Sequence, residues 1–442
     1  MRQMKKLYLL LILSFASLAP MISQTLYYPP NVGNTWATIS PSELGWCAEN
    51  IDSLEAYLQA TSSKGYIILK NGRIVLERYF GTFTRDSIWY WASAGKTVTA
   101  FLVGKAQEEG LLSLQDSTSK LLGTGWTVAP PDKERLITVW HQLTMTSGLD
   151  DSNTAIRDCT IDTCLKYLAD AGTRWAYHNA PYTLLDKVIE NAANSTFNQF
   201  FFSRLRNPVG MNGLFLKTGF LNVYFSNLRS MARFGLLMQS KGKWNGNTIL
   251  GDTNFLNAAV NTSQNINLSY GYLWWLNGKG SFMLPQSQIV FPGMLMPDAP
   301  VDMYAALGRD GQILNVVPSQ GLVFVRMGNQ PDESGSITAL YNNRIWQRIN
   351  KLPCVTQNNE LYSATMLKAY PNPGKNTVTV KNLQKDTEYR LVNSLGSLII
   401  KGTCDYRLEL DVKNIPEGIY TIILRFNNAQ IHQLRWIKSG GN

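Results

Sequence analysis

The chain has 442 residues, of which 45% are hydrophobic and 16% charged, and its formal net charge is +10. That length and composition belong to a folded globular protein with room for one large domain and a smaller one, and they exclude a long disordered tract. The basic residues are scattered, with no basic run interleaved with aromatic side chains, so nucleic-acid binding is not expected.

Residues Met1–Ser23 have the layout of a secretory leader: Arg2, Lys5 and Lys6, then the apolar run Leu7–Leu13, then Ser14, Ala16, Ser17 and Ala19. A leader over 1–24 is expected, with cleavage between Ala19 and Thr25. The apolar run is too short to span a bilayer, and no other segment reads as transmembrane. The mature chain is therefore expected to be exported and either soluble or surface-attached. Five cysteines in an exported chain permit disulfides and leave at least one thiol unpaired. Cys159 and Cys164 can close a small loop, whereas Cys47, Cys354 and Cys404 carry no pairing signal. His141, His178 and His432 form no ligand cluster with two cysteines, so neither a metal nor a cofactor is called for.

Cys47–Leu58 carries a helical pattern, and Tyr66–Tyr79 reads as a hairpin turning at Asn71-Gly72. Helices are expected around Thr160–Leu168, Tyr182–Asn191 and Leu228–Gln239. Strands are expected at Gly271–Leu276, Met303–Ala306, Ile313–Val317 and Leu322–Met327. A hairpin first and strands much later, with helices between, predict one mixed sheet closed by both ends of the domain. After Cys354 the composition becomes polar and linker-like. Period-two pairs then follow, such as Val378 and Val380, Leu408 and Leu410, and Tyr420 and Ile422. The expected organisation is a main domain over 25–353, a linker over 354–366 and a β-sandwich over 367–442.

Ser93 and Lys96 stand three residues apart at the start of a largely apolar helical run. Positions i and i+3 share a helix face, so an amine can lie beside the hydroxyl. A serine hydroxyl becomes a competent nucleophile when a base takes its proton, and desolvation can bring a lysine into the range needed. Helix N-terminal N–H groups favour negative charge developing nearby. A second cluster, Gly172-Thr173-Arg174-Trp175-Ala176-Tyr177-His178-Asn179, offers the Tyr177 phenol for proton transfer and the Asn179 amide as donor and acceptor. Trp89, Tyr90, Trp91, Trp274 and Trp275 are candidates for an apolar cleft wall, with core packing the expected role for most of them.

Between these motifs lies His141-Gln142-Leu143-Thr144-Met145-Thr146-Ser147-Gly148-Leu149. The ordered set of Ser-x-x-Lys, His-x-Leu-x-x-x-Ser-Gly-Leu and Gly-x-x-Trp-x-Tyr-x-Asn resembles the serine hydrolases related to class C β-lactamases and penicillin-binding proteins, over roughly Leu44–Asn350. The resemblance implies an α+β, β-lactamase/transpeptidase-like fold: an antiparallel sheet flanked by helices, plus a helical region. It implies Ser93 as nucleophile, Lys96 and Tyr177 as the proton-transfer pair, Asn179 as a contact of substrate and lysine, and His141 as a structural landmark. Where the family usually bears Lys-Thr-Gly or His-x-Gly, this chain has Ala306-Leu307-Gly308. The backbone there, at Gly308 and Arg309, is expected to complete an oxyanion hole with the Ser93 N–H. Ala306 lacks the cation that helps the penicillin-recognising branch engage a carboxylate, and Arg309 is a candidate replacement. The Gly-x-x-Gly-Gln pattern of Gly308-Arg309-Asp310-Gly311-Gln312 resembles the esterase and 6-aminohexanoate-dimer-hydrolase branch. Ester or amide hydrolysis is the leading expectation, with a β-lactamase or D-alanyl-D-alanine carboxypeptidase and a silent binding protein as alternatives.

Tyr370-Pro371-Asn372-Pro373, Leu391–Gly396 and Pro416-Glu417-Gly418-Ile419-Tyr420 resemble the C-terminal sorting domains of the type IX secretion system. The resemblance implies that secretion machinery as a partner, passage across the outer membrane and removal of the domain. An adhesive or carbohydrate-binding sandwich is the alternative.

Overall fold

Asn71 and Gly72 both adopt positive φ, +47° and +81°, so the chain turns tightly between the strands Ser63–Lys70 and Arg73–Tyr79. The computed structural model describes residues 26–153, 156–331, 338–354, 367–393, 397–426 and 431–439. The leader expected over 1–24, linker residues 355–366 and the Ser394–Gly396 part of the central sorting motif lie outside the described residues. The chain divides into two compact units, Met1–Cys354 and Val355–Asn442.

In the first unit the hairpin joins strands contributed more than two hundred residues later. The sheet runs Arg73–Tyr79, Ser63–Lys70, Leu322–Gly328, Gln312–Val317, Tyr304–Gly308 and Trp275–Leu276, and every neighbouring pair is antiparallel, so the sheet is not the mixed one expected. The central strands are buried along their whole length, as expected of a sheet covered on both faces. Helix Leu228–Gln239 packs on one face, with Gly235 against Leu314 and Val323. Asn315, pointing the other way from Leu314, exchanges amide hydrogen bonds of 2.8 and 2.9 Å with Asn342 of helix Thr338–Ile349. Helix Ala48–Ala60 packs beside that helix, where Thr61 and Tyr341 hydroxyls lie 2.7 Å apart.

Two local expectations change. Thr160–Leu168 is not a helix; a single turn spans Asp162–Cys164, because the flanks bond to other segments through a Leu149–Tyr167 bridge and a 3.1 Å bond from the Val128 N–H to the Leu165 carbonyl. Gly271–Leu276 yields a strand only at Trp275–Leu276, since Leu273 takes φ +60° and interrupts extension. Disulfides join Cys159 to Cys164 and Cys47 to Cys354, leaving Cys404 as the free thiol.

The second unit has a three-stranded and a four-stranded antiparallel sheet around Val378, Val380, Leu391, Leu408, Leu410, Ile422 and Trp436. Its turns are tied down by the Trp436 indole N–H donating to the Pro371 carbonyl at 2.8 Å and the Tyr420 hydroxyl donating to Pro416 at 2.7 Å.

Candidate active site

Ser93 lies on a tight turn, Ala92–Gly95, which runs directly into helix Lys96–Glu108. Ala92 takes φ +47°, a strained conformation for a residue with a side chain, and the Trp91 N–H is fixed to the Tyr224 carbonyl at 2.8 Å. Buried Val98, Phe101, Leu102 and Val103 anchor the helix in the core, so the turn is presented from a rigid element.

The Lys96 Nζ donates to the Ser93 Oγ at 3.0 Å. The lysine is buried, with its nitrogen 4.2 Å from the Tyr182 ring centre and 5.1 Å from that of Tyr177. Burial brings its pKa down to about 7; Asp158 opposes the fall, and Arg157 and Arg309 add to it. Tyr177 moves the other way: burial pushes its phenol up to about 12, against smaller lowering effects of the Ser93 hydroxyl and Arg157. Its ring stacks on Trp275, with centroids 5.6 Å apart, and meets Tyr270 edge-on at 6.2 Å.

The motif between these clusters explains how they meet. The Thr138 N–H donates to the His141 Nδ1 at 3.1 Å, capping the short helix Val139–Leu143, and burial holds that imidazole neutral with a pKa of about 4. Beyond it, the Gly172 N–H bonds to the Thr146 carbonyl and the Ala176 N–H to that of Met145, at 2.8 and 2.9 Å. His141 and its neighbours thus seat the Tyr177 segment.

Ser93, Tyr177, Asn179, Trp275, Gly308 and Arg309 line one cavity of about 470 Å³. Of the other aromatic candidates, Trp91 and Trp274 are core residues, and Trp89 and Tyr90 do not line this cavity. Gly308 ends the strand alongside the Ser93 turn, and its carbonyl accepts from the Thr338 hydroxyl at 2.9 Å. The turn Arg309–Gly311 is held from below by buried Arg326, whose guanidinium donates to the carbonyls of Asp310 and Gly311 at 2.8 and 2.7 Å. Asn179 differs from expectation: its recorded partner is Asp158, to which its Nδ2 donates at 2.7 Å, rather than the lysine. Its Oδ1 is buried without a hydrogen-bond partner among the described residues.

Two residues here had no motif to reveal them. Arg157 lines the cavity and Asp158 fixes Asn179, both from the two positions just before the loop closed by the Cys159–Cys164 disulfide. The adjacent Arg-Asp-Cys was the available signal.

The antiparallel sheet and its flanking helices form the fold of the β-lactamase and penicillin-binding-protein class. A profile of the beta-lactamase family matches residues 51–344, more than half of the chain, and the chain belongs to that family. Residues 368–438 match the secretion system C-terminal sorting domain, so the chain carries the address of a secreted or cell-surface protein and is expected to engage the type IX machinery. No described helix is long and apolar enough to cross a membrane. An uncharacterized protein of Alkalihalophilus pseudofirmus is 24% identical over 306 residues, covering 61% of this chain and 84% of that protein. A penicillin-binding protein of Bacillus subtilis is 27% identical over 142 residues, 29% of this chain and 30% of that one. Among solved structures, a protein from Bacillus anthracis provisionally assigned as a 6-aminohexanoate-dimer hydrolase aligns with a TM-score of 0.57 and 17% identity, covering 74% of this chain and 91% of its own. A β-lactamase/D-alanine carboxypeptidase from Yersinia pestis aligns with a TM-score of 0.51 and 16% identity, covering 69% and 98%. These two likenesses concern the fold.

Proposed function

We propose that the chain is a secreted serine hydrolase that cleaves an ester or amide through an acyl-enzyme on Ser93. The observation that carries this reading is the buried Lys96 Nζ at 3.0 Å from the Ser93 Oγ, with burial bringing the amine to a pKa of about 7. A base with that pKa is half-deprotonated near neutral pH and can take the hydroxyl proton. Ser93 Oγ attacks the carbonyl carbon while its proton passes to Lys96. The N–H groups of Ser93 and Arg309 receive the oxyanion. The proton then leaves Lys96 through the Tyr177 phenol for the departing group, and a water repeats the sequence to free the acid. Tyr177, held as a phenol, suits a relay better than the first base.

Within this class, a β-lactamase or D-alanyl-D-alanine carboxypeptidase has more support than a simple esterase. The family match favours it, and so do the guanidinium groups lining the cavity where Ala306 leaves a cation missing. The 6-aminohexanoate-dimer-hydrolase branch has the Gly308-Arg309-Asp310-Gly311-Gln312 variant on its side. A fluorophosphonate probe and a panel of 4-nitrophenyl esters, short amides, D-alanyl-D-alanine peptides and nitrocefin test both levels. Labelling of the wild type and not of Ser93→Ala is expected. Neither labelling nor turnover would replace the hydrolase with a binding protein. Turnover of nitrocefin or the D-alanyl peptide well above that of the simple esters is the result expected of the narrower reading. We further propose that the leader over 1–24 and the sorting domain over 367–442 are removed on export; mass spectrometry of secreted protein retaining Tyr370–Lys438 would refute the second removal.

A further inference from the structure

The described residues between Leu149 and Ala169, 149–153 and 156–169, form a strap folded back on itself. The Asp150 N–H bonds to the Lys166 carbonyl at 2.8 Å and the Ala169 N–H to the Gly148 carbonyl at 2.9 Å. Within it the Cys159–Cys164 disulfide closes a small loop whose first cysteine is buried. The Ala180 N–H donates to the Arg157 carbonyl at 3.2 Å, fastening Arg157 beside the residue that follows Asn179. The Arg157 side chain is 24% exposed and lines the same cavity as Ser93.

Its charge is only partly answered there. The nearest carboxylate oxygen, Asp158 Oδ1, stands 3.8 Å from the Arg157 Nε, outside hydrogen-bond range, and already accepts from Asn179 at 2.7 Å. Among the described residues, no hydrogen bond occupies the guanidinium fork. Asp310, the carboxylate among the described lining residues, is engaged by the Tyr90 hydroxyl at 2.5 Å. Arg309, on the strand side of the cavity, has an exposed side chain. The lining is therefore cationic, and its better-buried cation sits on the Asn179 wall rather than on the strand.

We infer that Arg157 is a specificity-determining residue that grips a carboxylate, or a similar planar oxyanion, carried by the substrate away from its reacting carbonyl. A guanidinium offers two parallel N–H donors that match a carboxylate, and the part-buried setting strengthens the pairing. The disulfide strap holds the fork in place before substrate arrives, which limits the ordering cost on binding. The inference rests on the Ser93 acyl-enzyme reading and adds to it a substrate class and the wall from which that class is recognised.

The test uses matched ester pairs on the full chain. Mono-4-nitrophenyl adipate is compared with its methyl ester, placing the charge on the acyl side. 3-Acetoxybenzoate is compared with phenyl acetate, placing it on the leaving group. In at least one pair the anionic member is expected to have the higher kcat/KM. Arg157→Gln is expected to lower that anionic-to-neutral ratio about tenfold, mainly through KM, and Arg157→Lys to restore part of it. A ratio near one for both pairs in the wild type, or a ratio unchanged in a folded Arg157→Gln protein, overturns the inference. Should that variant not fold, the wild-type ratio decides instead: it must fall as salt is raised, and indifference to salt refutes the guanidinium contact. Loss of all ester turnover and probe labelling in the wild type would sink the hydrolase reading instead, so the two failures are distinguishable.

Discussion

A methyl group on Gly308 would lie 2.4 Å from the Trp91 carbonyl oxygen and 3.0 Å from the Ala94 nitrogen, so strand and nucleophile turn meet backbone to backbone. Neither obstacle is the flexible end of a side chain. Gly308→Ala must push the two elements apart at an overpacking cost of about 1–3 kcal/mol. The expected outcome is a lower Tm together with a disproportionately slower rate of fluorophosphonate labelling. Undiminished labelling in the folded variant would show that this contact does not set the geometry around Ser93.

Lys96 ties rate to pH. Below a pKa of about 7 it holds its proton and cannot accept another, so acylation should rise as pH climbs through 7. Labelling rates measured across that range are expected to trace a single acidic limb, and a flat profile would remove Lys96 as the base. Stability follows the same shift. The unfolded lysine titrates near 10.5, so below about pH 7 both states are charged and the folded state bears the full desolvation penalty. Between the two values the unfolded chain binds the extra proton and stability rises with pH. Lys96→Met is therefore expected to raise Tm most below pH 7, with the gain shrinking toward pH 10.5.

Asp158 faces Lys96 with the opposite influence from Arg157 and Arg309, favouring the charged amine. Replacing it by asparagine removes that support and should move the acidic limb to lower pH. Asn179 also loses its anionic acceptor, so KM is expected to rise. A limb that stays in place would confine Asp158 to holding Asn179.

Arg326 is fully buried and spans Ser63, Thr61, Asp310, Gly311 and Asn329 with its three nitrogens. Arg326→Met would strand several carbonyls, and each hydrogen bond to a charged group contributes about 1.5–3 kcal/mol. A loss of at least about 3 kcal/mol is expected in denaturant unfolding, with poor recovery in Arg326→Lys because a point charge cannot reach the same acceptors.

The elements read well from sequence were those whose signal is local. The hairpin at Asn71-Gly72 and the helix Leu228–Gln239 needed only turn chemistry and periodicity. Ser93, Lys96, Tyr177 and Asn179 were legible because their motifs are short and ordered. What escaped depends on distant partners. Thr160–Leu168 looked helical until a disulfide and a bridge to Leu149 claimed it, and Arg157 enters the cavity only because that strap folds back. Asn179 was visible as an amide, but its bond to Asp158 was not. Composition could show Gly308 without showing the Trp91 carbonyl opposite it.

The Cys47–Cys354 disulfide joins positions 307 residues apart, and backbone bonds from Cys47 to Leu352 and from Cys354 to Gly45, at 2.9 and 2.6 Å, run alongside it. Both cysteines lie in the unit that contains Ser93, and the second is that unit's last residue. A cut beyond Cys354 would thus leave the span 47–354, Ser93 included, closed by a covalent link. Loss of the address label would therefore leave the base of this unit fastened, which suits an extracellular milieu where no chaperone is at hand to refold it.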